Sequence, residues 1–153
     1  VALIEDMYLV SVGGRARFSE EERRLIAHWE LTDRVRSLGY VDDAELARLY
    51  REARLVAVTS DQEGYGLPMR EAVALGAPLV APDIDVTREV CGGAAHLFMP
   101  GDLASLARAL RLAWTRPKTV PHATVEQCRA GWETPVRTLV EAMAASERRG
   151  CVL

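Results

Sequence analysis

Leu55-Val56-Ala57-Val58-Thr59-Ser60-Asp61-Gln62-Glu63-Gly64-Tyr65-Gly66-Leu67-Pro68-Met69-Arg70-Glu71 is the stretch from which the fold of this 153-residue chain is read. Its first five residues run on without polar alternation, as a strand covered on both faces does. A loop with two glycines follows, and then a helical segment over 69–75. Glycines at 64 and 66 let the backbone approach an anion closely and aim N–H groups at it. The helix adds its positive dipole end and unsatisfied first-turn amides. Glu63 stands at the loop entrance and Glu71 in the first helical turn, so both carboxylates are expected to face one cleft. Carboxylates repel phosphate and accept hydrogen bonds from sugar hydroxyls. A diphosphate carried between two sugars fits that layout.

Strand and helix signals alternate on either side of this unit. Residues 8–12 form a short apolar run ended by Gly13-Gly14, read as a buried parallel strand and a turn. Ser19-Glu20-Glu21-Glu22 is a capping box that opens a helix to about Leu31. A second strand is read over 35–38, then a helix over 44–53 capped by Asp42 or Asp43, with Leu46, Leu49 and Tyr50 on one face. Past the glycine loop come Gly76 as a helix stop, a strand over 79–81, another over 95–98, and a helix over 103–114 capped by Asp102. Helices near 125–130 and 135–148 follow the breaks at Pro117 and Pro121. The pattern predicts an α/β chain with a Rossmann-like, doubly wound parallel sheet and C-terminal helices, all in one domain over 1–153. Ligands of such sheets bind outside the carboxyl ends of the strands. Those ends here are the loops 13–17, 39–42, 60–68 and 82–87, and Ser60 lies at one of them.

Composition narrows the classes. Hydrophobic residues make up 49% of the chain, enough for the core of one domain. A net charge of −3 gives no electrostatic footprint for nucleic acid. No signal peptide or apolar span of about 20 residues is present. Cys91, Cys128 and Cys151 are odd in number and lack metal-ligand spacing, so they read as reduced thiols of a cytoplasmic protein. His28, His96 and His122 are scattered without carboxylate or cysteine partners and supply no general base. Glu89 is read as a charge at a helix N-terminus, Tyr65 as half-buried packing and Arg70 as a solvated helix residue.

The glycine loop and its flanks also resemble a known family. Glu63 and Glu71 in Glu-x7-Glu spacing, with Gly64-Tyr65-Gly66-Leu67-Pro68 between them, look like the signature of retaining glycosyltransferases with two Rossmann-like domains, the GT-B fold. The nearest group is glycosyltransferase family 4, also called group 1. Leu38-Gly39-Tyr40-Val41, Glu45-Leu46-Ala47-Arg48-Leu49-Tyr50, Glu71-Ala72-Val73-Ala74-Leu75-Gly76-Ala77-Pro78-Leu79-Val80, Glu89-Val90-Cys91-Gly92-Gly93-Ala94-Ala95 and Pro100-Gly101-Asp102 follow in that family's order. The resemblance covers about 8–132 and implies the C-terminal, nucleotide-sugar-binding domain of a hexosyl- or mannosyl-type transferase. It implies that Glu63 is the catalytic residue engaging the transferred sugar and that Glu71 accepts from the ribose hydroxyls. Amides of Gly64, Tyr65, Gly66 and Leu67 would hold the diphosphate, the backbone of Gly39, Tyr40 and Val41 would meet the base, and Ser60 would face the ligand.

By the same resemblance no metal or other cofactor is expected, since amides and a helix terminus neutralise the phosphates. The partners implied are an NDP-sugar donor and an acceptor glycan, lipid or small molecule held by an N-terminal domain that these residues do not include. The family has a further strand before Tyr8, then an arginine and a lysine that hold phosphate; residues 1–7 carry no lysine. Gly93 stands where the family has aspartate. The chain is therefore expected to be a fragment of a longer enzyme, inactive alone, cytoplasmic or membrane-peripheral, with an exposed sheet edge that invites self-association. The alternative is a non-catalytic nucleotide-sugar-binding or interaction module of the same fold.

Overall fold

The computed structural model describes residues 7–14, 16–60 and 63–116. The two helices expected near 125–130 and 135–148 lie outside the described residues, as do Asp61, Cys128, Cys151 and residues 1–6. The chain forms two compact units, divided between Leu49 and Tyr50.

The first unit is built from β1 (Leu9–Val12), α1 (Glu20–His28), β2 (Val35–Gly39) and most of α2 (Asp43–Glu52). β1 and β2 pair in parallel, Leu9 opposite Val35, with an irregularity between Ser11 and Val12. The capping box is present in full: Ser19 Oγ accepts from the Glu22 N–H, and the Glu22 carboxylate accepts from the Ser19 N–H. Asp42 is the acceptor at the start of α2, taking the Glu45 N–H at 2.8 Å. The expected burial of the first strand is wrong. Leu9, Val10 and Val12 are 49%, 44% and 37% exposed, and Leu25 of α1 and Trp29 at its C-cap are exposed too. Among the described residues of this unit only Gly39 is buried. An apolar run states what a strand is able to bury, not what covers it.

The second unit holds the core. β3 (Val56–Ala57), β4 (Leu79–Pro82) and β5 (Ala95–Phe98) form a parallel sheet in that order. β3 is shorter than the expected 55–59: its ladder is extended by Val58, whose N–H donates to Val80, and Thr59 and Ser60 are exposed. β4 is buried along its whole length. On one side Val80 packs with Phe98 and with Ala109 and Ala113 of α5 (Leu103–Trp114). Alternation turns Leu79 and Ala81 to the opposite face, where α3 (Leu67–Ala74) packs on β4. Asp102 caps α5 as its sequence predicts, accepting from Ala104 N–H at 2.8 Å and Ser105 N–H at 3.0 Å.

One helix is new. α4 (Asp85–Cys91) occupies residues read as the end of a rim loop. Its N-cap is Ile84, which has no oxygen to offer, so no capping signal announces it. Glu89 consequently falls in the last turn of α4, not at a helix start, and Gly92 ends the helix in the left-handed region at φ 51°. The fold class is α/β with parallel, Rossmann-like topology.

Candidate functional site

Residues 63–66 lead directly into α3. α3 begins two residues earlier than the apolar pattern suggests, at Leu67, with Pro68 in its first turn. Proline is at home there because its missing N–H has no intrahelical partner in any case. The N-cap is Gly66 at φ 68°, ψ 35°, and no side chain caps the helix. Among the described residues no capping side chain takes up the first-turn N–H groups, and the positive end of the helix is left open to an anion.

The two glycines have unlike roles. A Cβ at Gly66 would lie 2.9 Å from Met69 Cε, 3.1 Å from Val86 Cγ1 and 3.4 Å from Val90 Cγ2. Gly66 is therefore demanded both by its left-handed backbone and by the close passage of α4. Gly64 is exposed, and a Cβ there would meet nothing within 4 Å. Below the loop, Thr87 Oγ1 donates to Met69 Sδ at 3.3 Å, with both residues fully buried. This contact pins α3 to α4 directly beneath the glycine turn.

Glu71 is half-buried on α3. Its Oε2 accepts from the Tyr50 hydroxyl at 2.9 Å, and the Pro68 carbonyl lies 3.3 Å from the same hydroxyl. Burial first, and then the charge of Glu71, push the Tyr50 phenol well above its usual range. Tyr50 is the residue that sequence reasoning missed, having placed it only on the apolar face of α2. The available signal is general: a tyrosine buried to this degree needs a partner for its hydroxyl. Glu63 is half-buried, Ser60 and Leu67 are exposed, and Tyr65 is 37% exposed.

Arg70 departs from the expectation of a solvated helix residue. It is half-buried, its Cζ stands 4.8 Å over the centre of the Tyr65 ring, and its Nε is buried without a hydrogen-bond partner. Tyr65 is more exposed than the half-buried packing expected of it, and its ring partner is this cation. In the first unit Gly39 closes β2 at φ 66°, and a Cβ there would meet Ala16 Cβ at 2.8 Å. Tyr40 is 86% exposed and Val41 half-buried. Among the described residues no three His, Cys, Asp or Glu side chains are grouped to hold a metal ion. None of the described helices is long and apolar enough to cross a membrane. Cys91 is a buried free thiol, with its pKa pushed up by burial.

Comparison with known proteins gives the chain's family. Residues 2–115 match the family described as glycosyl transferases group 1. A phosphatidyl-myo-inositol mannosyltransferase of Mycobacterium leprae is 39% identical over 109 residues, covering 69% of this chain and 28% of that protein. A D-inositol 3-phosphate glycosyltransferase of Salinispora tropica is 34% identical over 160 residues, covering 97% of this chain and 33% of that protein. Among solved structures, Anabaena HepE in complex with UDP superposes with a TM-score of 0.66 at 26% identity, over 91% of this chain and 41% of that one. HepE has also been solved with UDP and glucose. The chain spans about a third or less of the curated relatives it matches.

Proposed function

Since the chain belongs to the group 1 glycosyltransferases, we propose that it supplies the donor-binding part of a retaining enzyme that moves a hexose from an NDP-sugar to an acceptor. The observation that carries this reading is the joint geometry of α3. Its N-terminus opens through an uncapped left-handed glycine, and one turn further on Glu71 is held by Tyr50. An anion at the open end and a polyol beside the carboxylate are the two halves of a nucleoside diphosphate sugar. The complexes of HepE with UDP, and with UDP and glucose, support the same ligand class. Mannosyltransferases among the relatives support a hexosyl donor.

In this reading Glu71 accepts from the ribose hydroxyls. The amides of Gly64, Tyr65, Gly66 and Leu67 hold the diphosphate, and Glu63 engages the transferred sugar, with Ser60 beside it. As the glycosidic bond to the diphosphate breaks, negative charge grows on the leaving phosphate oxygen. Fixed N–H dipoles at the helix start stabilise that charge without reorganising. No step in this account calls on a metal ion. The enzyme works on the cytoplasmic side, at the membrane periphery when its acceptor is a lipid.

Two conservative substitutions test the assignment. Glu71→Gln keeps the shape and loses charge-assisted acceptance, so affinity for UDP or GDP should fall about 10- to 100-fold. Glu63→Gln should leave that affinity near wild type while weakening binding of UDP-glucose or GDP-mannose, read by calorimetry. Equal and negligible effects at both positions would return the two glutamates to the status of surface carboxylates.

A further inference from the structure

We propose that Tyr50 is a positioning residue for the donor site, fixing the carboxylate of Glu71 in its ligand-accepting orientation before any nucleotide arrives. The proposal rests on the reading of Glu71 as a ribose ligand and deepens it. Glutamate has three side-chain torsions, and a carboxylate free to sample them must be ordered when a ligand binds. Here the last turn of α2 sends a buried aromatic ring to the first turns of α3. The Tyr50 hydroxyl meets two acceptors there, the Pro68 carbonyl and Glu71 Oε2, which lie three positions apart and so share one helix face. A phenol has one proton to give. The shorter contact, 2.9 Å against 3.3 Å, goes to the charged acceptor.

Tyr50 thus occupies one lone pair of Oε2, leaving Oε1 and the remaining lone pair of Oε2 for a ligand's hydroxyls. Because burial and the Glu71 charge keep the phenol protonated, the donor is present throughout the physiological range. A purely packing role would need the ring alone. It would be satisfied by phenylalanine at this site.

The test is a double-mutant cycle on the complete chain, with UDP and GDP as probes in calorimetry and thermal unfolding as the check on fold. Tyr50→Phe retains the ring and should weaken the tighter of the two nucleotides about twofold to tenfold, the cost of ordering one long side chain on binding. In a Glu71→Ala background the same substitution should add less than about a twofold effect, since the carboxylate it serves is gone. Replacing Tyr50 by 3-fluorotyrosine keeps the hydroxyl and should leave affinity at the wild-type level, even if Tyr50→Phe proves unstable. Wild-type affinity in Tyr50→Phe overturns the proposal. So does an undiminished loss in the Glu71→Ala background, or a 3-fluorotyrosine loss matching that of phenylalanine. If Glu71→Ala alone leaves affinity unchanged, or the wild-type chain binds neither nucleotide, the reading of Glu71 itself falls and Tyr50 loses its role with it.

Discussion

Replacing Gly66 by alanine tests whether the loop is held by its backbone and by α4 at once. Two costs are legible in the structure. The first is conformational: an L-residue at φ 68° gives up about 1–2 kcal/mol relative to glycine. The second is steric, because the added methyl would stand 2.9 Å from Met69 Cε and 3.1 Å from Val86 Cγ1. Overfilling a packed site costs about 1–3 kcal/mol. The methionine end is flexible, yet Met69 is fully buried and receives the Thr87 hydroxyl, so it has little room to retreat. Against these stands a gain of about 0.4–1 kcal/mol from stiffening the unfolded chain. The net expectation is a loss of roughly 1–5 kcal/mol, read as a lower urea midpoint at unchanged slope. Gly64→Ala is the internal control. With open space around it, that variant should stay within about 0.5 kcal/mol of wild type. If the two variants unfold together, the close approach of α4 to the turn is not what holds the loop.

Two further outcomes follow from the second unit. Asp102→Ala removes the acceptor for the Ala104 and Ser105 N–H groups and should cost about 1 kcal/mol by denaturant titration; no loss would show that the cap contributes nothing to α5. Burial, with the nearby Arg116 charge adding to it, holds the His96 imidazole below its ordinary 6.5. The unfolded chain then takes up a proton more readily than the folded one, so the contribution of His96 is intact above pH 6.5 and is lost as the pH falls below it through the folded value. The urea midpoint should drop between pH 7.5 and 5.5, and His96→Gln should flatten that drop; an equal drop in the variant would assign it elsewhere.

Where the sequence is explicit, its physics is local. Ser19 and Asp102 carry the acceptor and the N–H groups it serves within three residues, so both helix starts are readable in one dimension. α4 is silent because Ile84 caps nothing, and the misplacement of Glu89 follows from that silence. The exposure of β1 is likewise invisible, since Leu9, Val10 and Val12 look the same whether or not something lies over them. Within the candidate site the glycine loop and its two glutamates are evident from spacing. The distinction between Gly64 and Gly66 is not, because it depends on Val86 and Val90, which come from another helix. Tyr50 and Glu71 are 21 positions apart, and Arg70 looks like any helix arginine until its neighbour Tyr65 is folded beneath it.

The uneven burial of the two units bears on how the protein is made. A ribosome releases residues 7–49 before 50–116, and among the described residues of that earlier stretch only Gly39 is buried. A unit with so little interior gains little stability from apolar burial of its own. In that order Leu9, Val10, Leu25 and Trp29, exposed in the finished unit, emerge before the residues that form the compact interior, from Tyr50 to Ala113. Synthesis at about 5–20 residues per second makes that interval a matter of seconds, ample time for apolar strands on neighbouring polysomes to meet. The acidic and basic side chains of α1, where Glu20 pairs with Arg23 and Arg24, give the finished unit a charged surface beside those exposed apolar residues.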